Sequence, residues 1–268
     1  MRRPYLKSLL ALSLACVGAT ALPSCATNDS MMYVIGIYAR KQGACSPQPE
    51  ANSPVLAKGT LDLAFAGEYR AALLIGNQIT ERGSREQLRT ETSRVVLKGA
   101  EVRLENLRGE ELHKAFSSTA TGFVDPASGT DPSIAVMYAT LIPASVLETL
   151  TDEGTLVANV RVFGQTLGGQ DVESSELAFP IEICTGCLIA YPAAARDLTA
   201  DGTDYTCKVA TDATMATPAE ETELPCNVGV DIQAPCTLCS GTSKLCQRPA
   251  CNPAYTPLDE IPADCATP

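Results

Sequence analysis

The chain has no tryptophan, one histidine, five phenylalanines and eight tyrosines in 268 residues. The missing tryptophan counts against a sugar-binding cleft built on a stacking platform. The lone His113 sits in the charged stretch Glu110-Glu111-Leu112-His113-Lys114, where a nucleophile–base pair finds no second member. Neither Gly-x-Ser-x-Gly nor His-Glu-x-x-His occurs, and no glycine-rich loop is built to cradle phosphate. Positive charge is also short, with 20 Lys and Arg against 31 Asp and Glu. That balance excludes a nucleic-acid partner, which needs a basic footprint, and electrostatic adhesion to anionic lipid. No apolar run approaches the ~20 residues a spanning helix needs.

What is present begins with a cationic start, Met1-Arg2-Arg3-Pro4-Tyr5-Leu6-Lys7, followed by about 14 apolar or small residues ending at Leu22. These are the n-region and h-region of a secretory signal. Leu22-Pro23-Ser24-Cys25 then resembles the lipobox of bacterial lipoproteins. The resemblance implies a signal peptide over 1–24, diacylglyceryl on Cys25 and a tether over 25–30. With Ala26 next, it also implies an outer-membrane destination in the cell envelope. Ser13-Leu14-Ala15-Cys16 offers a second cysteine, and Ala19-Thr20-Ala21 an ordinary signal-peptidase site that would make the protein secreted. Cleavage before Cys25 leaves 17 basic against 31 acidic side chains.

Residues 31–183 read as strands. Residues 100–105 alternate with Val102 and Leu104 inward; residues 155–163 put Leu156, Ala158, Val160 and Val162 on one face. Residues 176–183 do the same with Leu177, Phe179, Ile181 and Ile183, and residues 59–65 with Leu61, Leu63 and Phe65. Period-two patterning is what a sheet with one wet face requires. Continuous apolar runs at 69–75 and 134–141 suggest deeper strands. Gly168-Gly169 marks the tip of a hairpin over 155–183. Pro180 suggests an edge strand, and only residues 143–150 look helical, with proline in the first turn. About seven strands in 150 residues indicate a mainly β fold with an immunoglobulin-like sandwich.

From Cys184 the character changes. Cys184, Cys187, Cys207, Cys226, Cys236, Cys239, Cys246, Cys251 and Cys265 crowd residues 184–268, while periodic apolar segments fade. Such a segment buries too little apolar surface to offset its ordering entropy. In an exported chain disulfides supply the difference. The tail is therefore expected to be loop-rich and stapled. Nine tail cysteines are an odd number, so complete pairing requires Cys45 to bond to one of them.

Two Cys-x-x-Cys pairs, Cys184-Thr185-Gly186-Cys187 and Cys236-Thr237-Leu238-Cys239, raise zinc and thiol–disulfide catalysis. Their 48-residue separation exceeds that of a compact zinc ribbon. Pro192 forbids the helix that would lower a catalytic thiol's pKa. Structural cystines are the expectation, with Cys184 and Cys187 bonded to different partners, since an extended Cys-x-x-Cys spans ~10 Å. Asp197-Leu198-Thr199-Ala200-Asp201-Gly202-Thr203-Asp204 resembles a calcium loop, but Thr199 and Lys208 stand where ligands are needed. No cofactor or metal is called for. The expected function is an envelope binding or structural module, tethered to a membrane by lipid, that meets an envelope protein or surface ligand through residues 77–91 and 122–133. The alternative is an extracellular hydrolase using paired carboxylates.

Overall fold

The computed structural model describes residues 31–40, 43, 45, 48–50, 52–84, 90–149, 154–191, 225–239, 244–262 and 265. Cys16, Cys25, Cys207 and the 197–204 loop lie outside them.

Ten strands build two sheets. In chain order they are β1 (Met32–Tyr38), β2 (Val55–Leu56), β3 (Gly59–Asp62), β4 (Tyr69–Asn77), β5 (Val95–Asn106), β6 (Glu111–Val124), β7 (Ser133–Ile142), β8 (Gly154–Thr166), β9 (Asp171–Glu173) and β10 (Leu177–Cys184). One sheet has the order β2-β1-β4-β7. The other has the order β3-β10-β8-β5-β6, with β9 paired to β8. The helical segment shrinks to one turn, α1 (Ala144–Leu147), preceded by Pro143.

The alternation dictates which faces meet. Leu73, Ile75, Met137 and Leu141 from the first sheet share one core with Leu97, Val102, Leu104, Leu156, Val160 and Ile181 from the second. Each such side chain contributes ~1.5–3 kcal/mol on burial. Seams help close the sandwich: the Thr140 N–H donates to Ser118 Oγ at 2.8 Å, and Met32 bridges Ser174. Ser174 is the first of three residues between β9 and β10, and its hydroxyl accepts from the Val162 N–H at 2.9 Å.

Two expectations about the strands need correction. β3 ends at Asp62 and a turn follows, so Leu63 is exposed and shares no inward face with Leu61. β10 is not an edge strand; it lies between β3 and β8. Pro180 is tolerated because the parallel pairing with β3 begins only at Ile181, which leaves the proline's missing donor on a locally open side. The strand count suggested an immunoglobulin-like arrangement, whereas the topology, with its parallel β3–β10 pair, establishes only a mainly β fold of two facing sheets.

The tail completes the open edge of β3. Val230 bridges Leu61, the Asp62 N–H donates to the Gly229 carbonyl at 2.9 Å, and the Asp231 N–H donates to the Thr60 carbonyl at 3.0 Å. An exposed strand edge is thereby covered. Two-residue strands β11 (Ile189–Ala190) and β12 (Ala234–Pro235) pair in parallel. They gather a second small core of Ile189, Tyr191 and Cys236 against Phe65 and Leu245. One-turn helix α2 (Lys244–Gln247) follows.

The molecule thus has two unlike ends. The loops around residues 78–84, 90–94, 125–132 and 167–170 cluster beside Met31 at one end, where the Gln78 N–H donates to the Met31 carbonyl and the Gly168 N–H to the Thr92 carbonyl. The stapled tail occupies the other, around Asp62, Tyr69 and Cys184.

Candidate functional site

The seam between sandwich and tail is organised by buried polar side chains rather than by apolar bulk. Asp62, fully buried at the end of β3, is the first. Its Oδ1 accepts the N–H groups of Ala64 at 2.9 Å and Gly186 at 2.7 Å; its Oδ2 accepts that of Leu188 at 2.7 Å. Strand β3 is thereby fastened to the loop that leaves β10. Asn252, also fully buried, works from the tail side. Its Nδ2 donates to the Gly186 carbonyl at 2.8 Å and to the Tyr191 hydroxyl at 3.1 Å, while its Oδ1 accepts from Ala254 N–H. Gly186 is required there: its φ is +84°, and a Cβ would meet the Asn252 amide at 2.9 Å. Tyr191 donates to the Leu245 carbonyl and packs edge-on against Tyr255 at 5.3 Å. Burial pushes its hydroxyl up to about 12.

Asp231 forms the third anchor. It is the one non-glycine residue among those described with positive φ, +63°, a conformation Asp tolerates better than most. Its carboxylate accepts from the Tyr69 hydroxyl at 2.9 and 3.0 Å and from the Thr60 N–H at 2.9 Å. Burial raises its pKa, outweighing those bonds and the nearby Arg40 charge. Burial and then the Asp231 charge push Tyr69 above its ordinary range. A cavity of about 120 Å³ adjoins the pair, lined by Arg40, Leu56, Ala72, Cys226 and Asp231 among others.

Every described cysteine is disulfide-bonded. Cys45 joins Cys226 across 181 residues, which is the tether between sandwich and tail that odd parity demands. Cys239 joins Cys246, and Cys251 joins Cys265. The partner of Cys236 lies outside the described residues. Cys184 and Cys187 bond to each other, contrary to expectation. The chain turns directly after β10, helped by Gly186, so their Cα atoms stand 6.0 Å apart instead of the extended ~10 Å. Cys184, Cys187 and Asp62 place potential ligand atoms within 4.8 Å of one another. The cystine consumes both thiolates and the carboxylate already holds three backbone donors, so the set does not fit a metal.

His113 is on β6; its Nδ1 contacts the Lys114 carbonyl at 2.7 Å, and its ring stands edge-on to Phe116. Of residues 122–133, Phe123, Asp125 and Ser133 line an open cleft of about 400 Å³ together with Pro49, Val136 and Tyr138. Arg94 stacks 4.9 Å from the Phe123 ring and pairs with Asp125 at 2.6 Å. In the described part of 77–91, Glu91 accepts the N–H groups of Ser93, Gly83 and Arg82. Desolvation opposes its ionisation, but the three donors together prevail and lower its pKa.

Sequence reasoning missed Asp62, Asp231 and Asn252. A local signal existed for two of them: Asp62 and Asn252 each accept the N–H two residues on, the Asx turn that such side chains favour. No protein-family model matches the chain, and a search of curated proteins finds no match.

Proposed function

We propose that the chain is an exported, lipid-anchored module of a bacterial cell envelope that binds a partner or surface ligand. The observation that carries this reading is the oxidation of every described cysteine, a state maintained outside the reducing cytoplasm. The signal sequence and the lipobox-like Leu22-Pro23-Ser24-Cys25 agree with it. From Cys25, the six residues of the tether reach ~20 Å at most before Met31. The Met31 end would then stand close to the bilayer and the stapled tail would point away. In that orientation the described residues of 77–91 and residues 122–133 face the membrane side, so the flanks of the sandwich and its tail are the surfaces open to a partner.

Intact-mass and peptide mass spectrometry of the mature protein tests the anchor. The expected result is an N-terminal Cys25 carrying acyl chains. An unmodified N-terminus at Leu22 would make the protein a soluble secreted one.

A further inference from the structure

An unpaired sheet edge is a template for another strand, and this molecule protects its edges unequally. Strand β3 is covered by residues 229–231. Strand β2 is only two residues long. Strand β6 is interrupted by three register shifts against β5 and carries Glu111 and Lys114. Strand β7 has none of these devices. It pairs with β4 without a shift from the Arg70–Thr140 pair to the Asn77–Ser133 pair, and residues 133–142 include no charge and no proline.

One contact fixes which way its backbone groups point. The Thr140 N–H turns from β4 and donates to Ser118 on β6. Alternate residues of an antiparallel strand direct both backbone groups to the same side. The N–H and carbonyl groups of Ile134, Val136 and Tyr138 therefore also point away from β4, and no other described strand pairs with them. Ser118 seals the edge at Thr140; toward Ser133 the cleft of about 400 Å³ opens along residues 133–136 and Tyr138. Consecutive residues line it, so it looks onto the edge of β7 rather than onto either face. Phe123, 58% exposed, stands at the Ser133 end, where Ser133 Oγ donates to the Pro126 carbonyl. Tyr138, 37% exposed, stands at the other, with Arg40 stacked 5.5 Å from its ring.

A row of N–H and carbonyl groups is matched by an extended backbone. Water hydrates those groups but gains nothing from Ile134, Val136 and the two exposed rings beside them. The order of the side chains points to the same strand of a second copy. A twofold axis through Val136 sets each Ile134 against the other copy's Tyr138, with about six hydrogen bonds and aromatic–β-branched pairs across the strands. It carries each Phe123 toward the other copy's Tyr138. It also carries Arg40, which has no carboxylate within ion-pair distance among the described residues, toward the other copy's half-exposed Asp125. The mature tether is too short to fill the edge instead. Met32, Asn77 and Ser133 lie side by side, so a chain leaving Met32 must cross three strand spacings, ~14 Å, out of the ~20 Å that six residues reach.

We propose that two copies of the chain pair through β7, antiparallel about Val136, and join their four-stranded sheets into one. Residues 134–138 make a contact that is small against the ~1,200–2,000 Å² of a stable interface, so the dimer is weak, with a dissociation constant of ~0.1 mM. The pairing turns the partner end over end. With the Met31 end near the bilayer, anchored copies then meet from facing membranes; that consequence rests on the anchored reading, whereas the pairing does not.

Sedimentation equilibrium of the full mature chain carrying Cys25→Ser tests the pairing with no acyl chain present. It can fail while the anchor stands, and the mass measurement on Cys25 can fail while the pairing stands. The expected result is a monomer–dimer equilibrium with nothing larger, as a closed twofold contact requires. Val136→Pro removes an N–H that β4 does not use, and Val136→Lys sets two lysines directly opposite each other. Each should keep the parent's urea midpoint and weaken association at least ~tenfold. If Val136→Pro lowers that midpoint, Val136→Lys decides. Leu167→Lys, which removes an exposed apolar side chain in the turn after β8, should leave association unchanged. A chain that stays monomeric at ~0.5 mM, several times the expected dissociation constant, overturns the proposal, whether its edge stays bare or accepts an unrelated extended peptide. So do open-ended assembly, association undiminished by Val136→Lys, and association weakened equally by Leu167→Lys.

Discussion

The sandwich and the tail solve the same problem with opposite chemistry. The sandwich closes over one continuous core in which strand after strand contributes an alternating apolar face. The tail has three buried side chains in its own small cluster, and is fixed instead by cystines and by Asp62, Asp231 and Asn252. Dispersed apolar burial is tolerant, because no single contact carries the whole. A buried carboxylate with three backbone donors is not, because removing it strands all three. The comparison teaches that the tail's order is concentrated in a few bonds, while the sandwich's order is spread over many.

The difference can be broken at its strongest point first. Cys45→Ser with Cys226→Ser releases a loop of 181 residues, and chain entropy puts the loss at ~5 kcal/mol; equilibrium denaturation of the oxidised variant reads it. Leu73→Ala, in the middle of β4 and fully buried, should cost ~3 kcal/mol through transfer and cavity terms. It should lower the whole unfolding transition. Asp62→Ala should cost ~2–3 kcal/mol, and limited proteolysis should show cleavage appearing in the tail before the sandwich. Ser at both Cys184 and Cys187 opens the shortest ring, three residues in separation, and should cost only ~2 kcal/mol.

A subtler contrast lies in pH. Asp231 has a raised pKa in the fold. Its contribution is therefore fully present below the ordinary carboxyl value of ~4 and is lost as pH rises through the raised one. Glu91 has a lowered pKa, so its contribution is present above the ordinary value and is lost as pH falls through the lowered one. Asp231→Asn should flatten the decline on the alkaline side of the carboxyl range, and Glu91→Gln the decline on the acid side. Urea midpoints collected across pH for the two variants check both signs, and identical profiles would contradict them.

How much of this was readable in the chain follows from how far each cause reaches. Val102, Leu104, Val160 and Ile181 declared themselves by alternation, because a strand's facing is a property of its own residues. Cys45 declared its link to the tail by parity alone. Asp62 did not, since its decisive donors at Gly186 and Leu188 are 124 and 126 residues away, and alternation was read straight through it to Leu63. Pro180 misled because the edge it marks is only four residues long. The Cys184–Cys187 pairing was missed because a glycine turn replaced the extended geometry assumed.

The contrast between the two regions is tested most directly by amide hydrogen exchange on the oxidised protein and on the same protein held in excess dithiothreitol. Under reduction, amides of the central strands β4, β5 and β8 should keep strong protection. Those of Ala234, Cys251, Asn252 and Thr256, whose bonds depend on the stapled tail, should exchange freely. Loss of protection in β5 and β8 together with the tail would contradict a self-sufficient sandwich. Retained protection at Ala234 and Asn252 would contradict a tail held by its cystines.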